Sequence, residues 1–393
     1  MRILALTSNL PYPPTWGAAI RNHRLLKYLA GRHDLTLVTY AAPDAAESVQ
    51  AMESLGIRLL TVPPPQRGRW KRFGQLASIT SSRSYSGRMY VTSRMQAQID
   101  EELAKSTPQV VLVESSLLMG HRFSAAVPIV LDEHNLEFEL LERMATAESS
   151  PVRRRFAAHE ARKLRREEIA SWRRAFTVVF TSDREREIAR SLEPSLVAET
   201  VPNGVDLDYF APVDEMTTPG AIVFTGVLDY RPNEEAVTHF CRDILPLVVK
   251  LRPHAHLTVV GANIPSTLRG LARPGVEFTG RVPDVRPYLR AAAAVVVPIR
   301  MGSGTRLKVL EAMAMGKGIV STSIGYEGIM ATAGRELLAA DEPAAFAAAV
   351  VSLLDDPEKA KSLGCNGRRL VETTYGWDAL AARMNRVLVS AVP

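Results

Sequence analysis

The sequence predicts an α/β protein built from two doubly wound, Rossmann-like domains in tandem. First, short apolar runs rich in Val, Ile and Leu alternate with segments of helical periodicity, and the alternation occurs twice. Second, turn formers cluster at Val201–Asp206 and again at Met216–Gly220, where two prolines and Asn-Gly and Pro-Gly steps preclude a continuous helix. Third, 393 residues with 46% hydrophobic and 23% charged content supply two sizeable cores and exclude a disordered or collagen-like chain.

In the first half, Arg2–Thr7, Leu35–Tyr40, Ile57–Val62, Val110–Glu114, Pro128–Leu131 and Thr177–Thr181 read as buried strands. Helices are expected at Ala18–Ala30 and Asp44–Leu55, and over Glu142–Arg174 with an interruption near Ser149–Pro151. The second half gives strands at Ala221–Thr225, Leu257–Val260, Val276–Thr279, Ala294–Pro298 and Gly318–Ser321. Its helices are expected at Glu234–Leu251, Asp284–Ala292 and Arg306–Met315. Residues 1–200 therefore form one domain, 201–218 a linker, and a second domain begins at 219.

Two cysteines, Cys241 and Cys365, suggest neither a disulfide framework nor a zinc site. The N-terminus has no signal-peptide pattern, and the longest apolar run, Ala291–Ile299, is too short to span a bilayer. A cytoplasmic protein is expected. Its net charge of +6 is uneven: residues 1–200 hold 28 Lys and Arg against 22 Asp and Glu, and the remainder holds 20 of each. Ser54–Ile99 has eight bases and no acid, which suits an anionic surface, either lipid headgroups or nucleic acid, or a solvated helical face. Glu142–Arg174 reads as an exposed helix of mixed charge or a basic segment for nucleic acid, but no recognisable nucleic-acid module accompanies it, so no nucleic-acid partner is expected.

Doubly wound domains bind ligands in the loops beyond strand C-terminal ends. The first such loop, Ser8–Arg21, has Gly17 alone where a dinucleotide fingerprint needs three glycines. With Ala18 it leaves a helix N-terminus open to substrate, or simply makes a tight connection. Asp132–Asn135 follows a strand, and His134 there suits general-base or electrostatic work, a helix cap or weakly a metal. Pro298–Val320 is the most informative. Gly302 and Gly304 permit backbone amides to approach an anion at a helix N-terminus, where Arg306 and Lys308 add charge against the helix dipole. Lys308 and Glu311 share a helix face, either as an ion pair or as parts of a site for diphosphate and ribose.

This last segment resembles the nucleotide-sugar site of family 4 retaining glycosyltransferases (glycosyl transferases group 1), which have the GT-B fold. The resemblance covers nearly the whole chain. It runs through the Gly17 loop, Asp132–Asn135, Val201–Asp206, Phe224–Gly226, Val259–Gly261, Gly280–Asp284, the Glu311 helix and Tyr375–Trp377. It implies two domains facing across a cleft, with the second ending at residue 375 and a helix over 376–393 crossing back to the first.

The resemblance further implies a metal-independent, cofactor-free transfer from a UDP- or GDP-sugar to a glycan or lipid-linked acceptor, of the kind used in bacterial cell-surface polysaccharide synthesis. The donor set it implies is Gly226, Arg231, Asn233, Gly261, Arg281, Val282, Gly302, Ser303, Gly304, Thr305, Arg306, Lys308 and Glu311. Arg231, Arg306 and Lys308 would face the diphosphate, and Glu311 the ribose. Ser303 stands where the family carries a first Glu, seven residues before Glu311. His134 resembles the family's reaction-centre histidine, with Arg306 and Lys308 as its catalytic partners, and Gly17, Ala18 and Asp132 lie on the acceptor side. A nucleotide-sugar epimerase of similar fold and a non-catalytic nucleotide-sugar-binding protein are the alternatives. The basic first domain suggests weak association with the inner face of the plasma membrane.

Overall fold

The computed structural model describes residues 1–65, 78–124, 126–146, 148, 150–213, 217–302 and 304–392. Contacts divide them into two compact units, Met1–Pro202 with Asp378–Pro393, and Asn203–Trp377.

The first unit holds seven strands: β1 (Arg2–Thr7), β2 (Asp34–Tyr40), β3 (Arg58–Val62), β4 (Val110–Val113), β5 (Ile129–Glu133), β6 (Thr177–Phe180) and β7 (Ala198–Thr200). They pair in parallel in the order β3-β2-β1-β4-β5-β6-β7. Leu4, Val38, Val111, Leu131 and Val178 are fully buried on successive strands, because helices cover both faces of a parallel sheet. The order reverses between β1 and β4, which makes the loops after these strands the ligand-binding position of the fold. Residues 378–393 join this unit, where Asn385 Oδ1 meets His33 Nε2 at 2.5 Å.

The second unit has β8 (Ala221–Thr225), β9 (His256–Val260), β10 (Val276–Gly280), β11 (Ala294–Val297), β12 (Ile319–Ser321) and β13 (Leu338–Ala339). The order is β10-β9-β8-β11-β12-β13, also parallel, and it reverses between β8 and β11. Val205 belongs to its core, Leu207 and Phe210 pack against that core half-buried, and Val205 N donates to Tyr375 O at 2.8 Å. Much of the expected linker therefore packs as part of this unit.

Several elements differ from the sequence reading. Strand β5 continues through Asp132 and Glu133, which the polarity of the segment assigned to a loop; burial against Arg21 and Trp172 holds them in the sheet. Strands β7 and β13 are too short to show a pattern. The expected helix over Glu234–Leu251 starts earlier and divides into Arg231–His239, a π-helical turn Phe240–Ile244 and Leu245–Leu251. Pro246 has no N–H to donate to the carbonyl four residues back, so the ladder shifts there. Arg306 is the N-cap of the helix Leu307–Ala314 and lies outside its first turn. Among the described residues no helix is long and apolar enough to cross a membrane.

Candidate functional site

In the second unit, β8 ends at Thr225, and Gly226, the next residue, takes a φ of +154°. A Cβ on Gly226 would lie 2.7 Å from Lys308 Nζ and 2.8 Å from Asn233 Nδ2. Gly261, just past β9, is closer still to its neighbour: its Cβ would stand 1.8 Å from the Gly226 carbonyl oxygen. Only glycine at both positions lets the two strand ends and the lysine occupy this space. The spacing in Phe224–Gly226 and Val259–Gly261 thus has a steric cause.

Asn233 sits in the first turn of the helix Arg231–His239, whose Pro232 suits a helix start. Its Nδ2 donates to Val227 O at 2.8 Å, and its Oδ1 accepts from Lys308 Nζ at 2.8 Å. The Lys308 ammonium also stands 3.9 Å from the centre of the Phe224 ring. Lys308 therefore turns toward Asn233, and no ion pair with Glu311 forms among the described contacts. Burial pushes Lys308 down to about 7 against the attraction of Glu311. Burial likewise pushes Glu311 up to about 7 against the attraction of Lys308.

The helix carrying them has no acidic residue in its first turn. Before it, Gly302 and Gly304 have φ of +130° and +74°, conformations that favour glycine. The Arg306 Nη1 donates to the Gly304 carbonyl, and a Cβ on Gly302 would come within 3.1 Å of Arg306 Nη2. A positive helix end, an arginine folded over its entry loop and a half-buried lysine make a concentrated cationic locus.

The remaining residues expected on the donor side are more scattered. Arg231 opens the Asn233 helix and Thr305 adjoins Arg306, both half-buried. Arg281 is exposed beyond β10, while Val282 packs against the core. Ser303 lies outside the described residues.

In the first unit, Gly17 begins the helix Gly17–Ala30 beyond β1, with Trp16 as an N-cap that makes no side-chain hydrogen bond. Ala18, next in the helix, is half-buried. One turn on, Arg21 is fully buried and grips Asp132 with both prongs, Nε to Oδ2 at 2.7 Å and Nη2 to Oδ1 at 2.6 Å. Its Nη1 donates to Val201 O and Pro202 O. Burial would raise the Asp132 pKa, but Arg21 and His134 outweigh it and hold the carboxyl well below the usual range. Asp132 is thus covered and serves its neighbours.

His134 Nε2 lies 3.0 Å from Glu114 Oε2 and 3.5 Å from Asp132 Oδ2. Burial opposes its charge, yet the two carboxylates raise it to about 9. Glu114 is itself raised to about 7 by burial and by Asp132, with His134 pulling the other way. Glu114, Asp132 and His134 place three ligand atoms within 4.8 Å of one another, a spacing compatible with a metal ion. Arg21 already occupies both oxygens of Asp132, and its fixed positive charge opposes a divalent cation there.

Sequence reasoning missed Glu114 and Arg21 as parts of this group. Glu114 carried a readable signal: a carboxylate ending the apolar run Val110–Val113, immediately before the loop that this strand presents beside β1. Arg21 gave none, since one arginine among several on a helix does not reveal which is inward.

Residues 219–356 match the family model described as glycosyl transferases group 1, and residues 16–209 the one described as glycosyltransferase family 4. A GDP-mannose-dependent monoacylated alpha-(1-6)-phosphatidylinositol monomannoside mannosyltransferase of Corynebacterium glutamicum is 30% identical over 216 residues, 49% of this chain and 56% of that one. A glycogen synthase of Mycobacterium tuberculosis is 28% identical over 218 residues, 52% of this chain and 51% of that one. The chain thus spans about half the length of the curated relatives it matches.

Among solved structures, sucrose-phosphate synthase from Thermosynechococcus elongatus superposes with a TM-score of 0.72 at 18% identity, covering 98% of each chain. Anabaena Alr3699/HepE in complex with UDP and glucose gives 0.71 at 14% identity, covering 99% of this chain and 100% of that one.

Proposed function

The chain is a glycosyltransferase of the group 1, family 4 type with the GT-B fold, and on that premise we propose that it transfers a sugar from a UDP- or GDP-sugar, with retention of anomeric configuration and without a metal, to a glycan or lipid-linked acceptor. The observation that carries this reading is the Lys308–Asn233–Gly226 contact beside the Arg306 N-cap, a cationic locus shaped for a diphosphate. The UDP and glucose held by the HepE structure are that protein's ligands; they support a nucleoside-diphosphate sugar as the class to test.

In this mechanism the second unit binds the donor. Leaving-group charge grows on the diphosphate as the glycosidic bond breaks, and Arg306 and Lys308 stabilise that growth more than they stabilise the ground state. Lys308, half neutral near pH 7 when its site is empty, takes up a proton as the anion arrives. Glu311, one turn along the same helix, would accept hydrogen bonds from the ribose hydroxyls. On the first unit, His134 carries a proton across the neutral range and can donate a hydrogen bond to the reacting groups, held in orientation by Glu114 and Asp132. With a front-face substitution the departing phosphate oxygen receives the acceptor proton, and no enzyme nucleophile is required.

The acceptor class follows from the basic first half of the chain, which favours a lipid-linked or growing cell-surface glycan and weak association with the inner face of the plasma membrane. A panel of UDP- and GDP-sugars read by thermal shift tests the donor, because a ligand that binds only the folded state raises the melting temperature. Stabilisation by one of them, followed by transfer with retained configuration, supports the proposal. Release of an epimerised nucleotide-sugar, or binding without turnover, would count against it.

A further inference from the structure

The helix Pro151–Trp172 carries three acids and all three are directed inward. Glu160 accepts from Ser78 Oγ at 2.7 Å and from Tyr85 N at 2.5 Å, and Lys163 pairs with it at 2.8 Å. Glu167 accepts from Ser84 N at 2.7 Å and Ser84 Oγ at 2.5 Å. Glu168 is fully buried and accepts from Glu137 N and Phe138 N at 3.0 and 2.8 Å, which satisfies the start of the preceding helix. Every acid is thus spent on fastening a neighbouring segment.

What remains outside is uniformly cationic. The exposed charged residues of this helix are Arg153, Arg154, Arg155, Arg162, Arg165 and Arg166, and none forms an ion pair with a carboxylate among the described residues. At about 100° per residue, Arg155, Arg162 and Arg166 lie within about 40° of one another, with Arg154 and Arg165 along one flank. From Arg154 to Arg166 the stripe runs for about 18 Å at 1.5 Å per residue.

The other flank is apolar. Val152 is 78% exposed and Ile79 is 49% exposed, and Ile79 is tied to the helix where its carbonyl meets His159 Nε2 at 3.3 Å. No aromatic side chain of this helix is exposed, so the face offers no stacking platform of the kind single-stranded nucleic acids use. Exposed cations with aliphatic residues beside them complement a surface of anionic lipid headgroups.

We propose that the outward face of the helix Pro151–Trp172 is a docking surface for anionic phospholipid headgroups. The inference rests on the membrane association proposed above and moves its centre away from Ser54–Ile99. In that stretch Arg58 is paired with Glu102 at 2.7 Å and Arg83 lies 3.7 Å from Glu167, while Arg67, Arg69, Lys71 and Arg72 lie outside the described residues. The helix instead offers its charge unpaired.

The test is co-sedimentation of the full chain with phosphatidylcholine vesicles and with vesicles also containing phosphatidylglycerol, at low and physiological salt. Wild type should bind only the anionic vesicles and release with salt. The triple variant Arg155→Gln/Arg162→Gln/Arg166→Gln should lose binding by on the order of 100-fold, from about 1 kcal/mol for each base at the surface. Because these side chains are exposed, its melting temperature and its response to nucleotide-sugar should match wild type; Arg155→Glu/Arg162→Glu/Arg166→Glu should bind more weakly still. Wild-type binding that survives in both variants overturns the assignment of this face while leaving membrane association standing. No wild-type binding, or tighter capture of a single-stranded DNA oligonucleotide than of vesicles, overturns both. Donor transfer on the same preparations reports separately on the glycosyltransferase reading.

Discussion

His134 Nε2 meets Glu114 Oε2 at 3.0 Å, so a histidine just beyond β5 draws its raised pKa from Asp132 together with a carboxylate just beyond β4. Asp132, which was legible beside His134 in the sequence, is 3.5 Å away and is mainly engaged by Arg21. Glu114 is the partner closest to the imidazole, and it comes from 20 residues upstream.

Glu114→Gln should lower the His134 pKa from about 9, observable by titrating its ring proton by NMR, and should move the alkaline limb of turnover to lower pH. Both Glu114 and His134 have folded-state values above their ordinary ones, so each favours the fold while protonated. The contribution of Glu114 is complete below about 4.5 and lost as pH rises through about 7; that of His134 is complete below 6.5 and lost through about 9. Glutamine cannot ionise, so the melting temperature of wild type relative to Glu114→Gln should fall as pH rises through about 7. A pH-independent difference would remove Glu114 as the titrating partner. His134→Ala should reduce turnover by about 10²- to 10³-fold, the usual cost of one lost donor at a reacting centre.

Gly226→Ala should weaken donor binding by about 10- to 100-fold, since the methyl must displace the Lys308 ammonium or the Asn233 amide and adopt a φ unfavourable to alanine. Calorimetric titration with the nucleotide-sugar identified by thermal shift measures it. Gly261→Ala faces backbone at 1.8 Å instead of a movable side chain, so it should lower stability by about 4 kcal/mol or more. Equal mild effects from both would mean that the two strand ends can separate freely.

Arg306→Ala and Lys308→Ala should reduce turnover more than they weaken binding of the free nucleoside, because their charge acts on the diphosphate. Lys308 at about 7 is largely neutral above that pH when unliganded, so donor binding above it must draw a proton from solution and should weaken as pH rises. Glu311 at about 7 runs in the opposite sense, since its ribose-accepting form appears as pH rises. Affinity measured in Glu311→Gln isolates the Lys308 trend; a flat profile there would place phosphate recognition elsewhere, with Arg231 the next candidate. Glu311→Ala should cost about 1.5–3 kcal/mol of donor affinity, the value of a charged hydrogen bond.

Chelation with EDTA should leave turnover intact. The Glu114–Asp132–His134 group has metal-like spacing, but Arg21 supplies the positive charge that Asp132 needs. Loss on chelation, restored by magnesium or manganese, would refute the metal-independent mechanism. Removing that charge should be costly in another way: Arg21→Ala leaves buried Asp132 with only the His134 contact and should destabilise the first unit by about 3 kcal/mol, read from chemical denaturation.

The alternation of strands and helices was legible along the chain, because a strand buried on both faces must be apolar along its whole length whatever its neighbours are. The sequence also marked the loop proposed to hold the donor, since Gly302, Gly304, Arg306 and Lys308 lie close together along the chain and their chemistry is local. Only the tertiary structure decided which distant groups meet. Arg21 and Asp132 are 111 residues apart, and Lys308 and Asn233 are 75 apart. The same limit explains the acid-free stretch Ser54–Ile99: counted along the chain it has no counter-charge, but folding brings Glu102 to Arg58 and Glu167 to Arg83. Charge pairing acts through space over a few ångströms, and a linear sequence reveals spatial neighbours only where helix or strand periodicity supplies them.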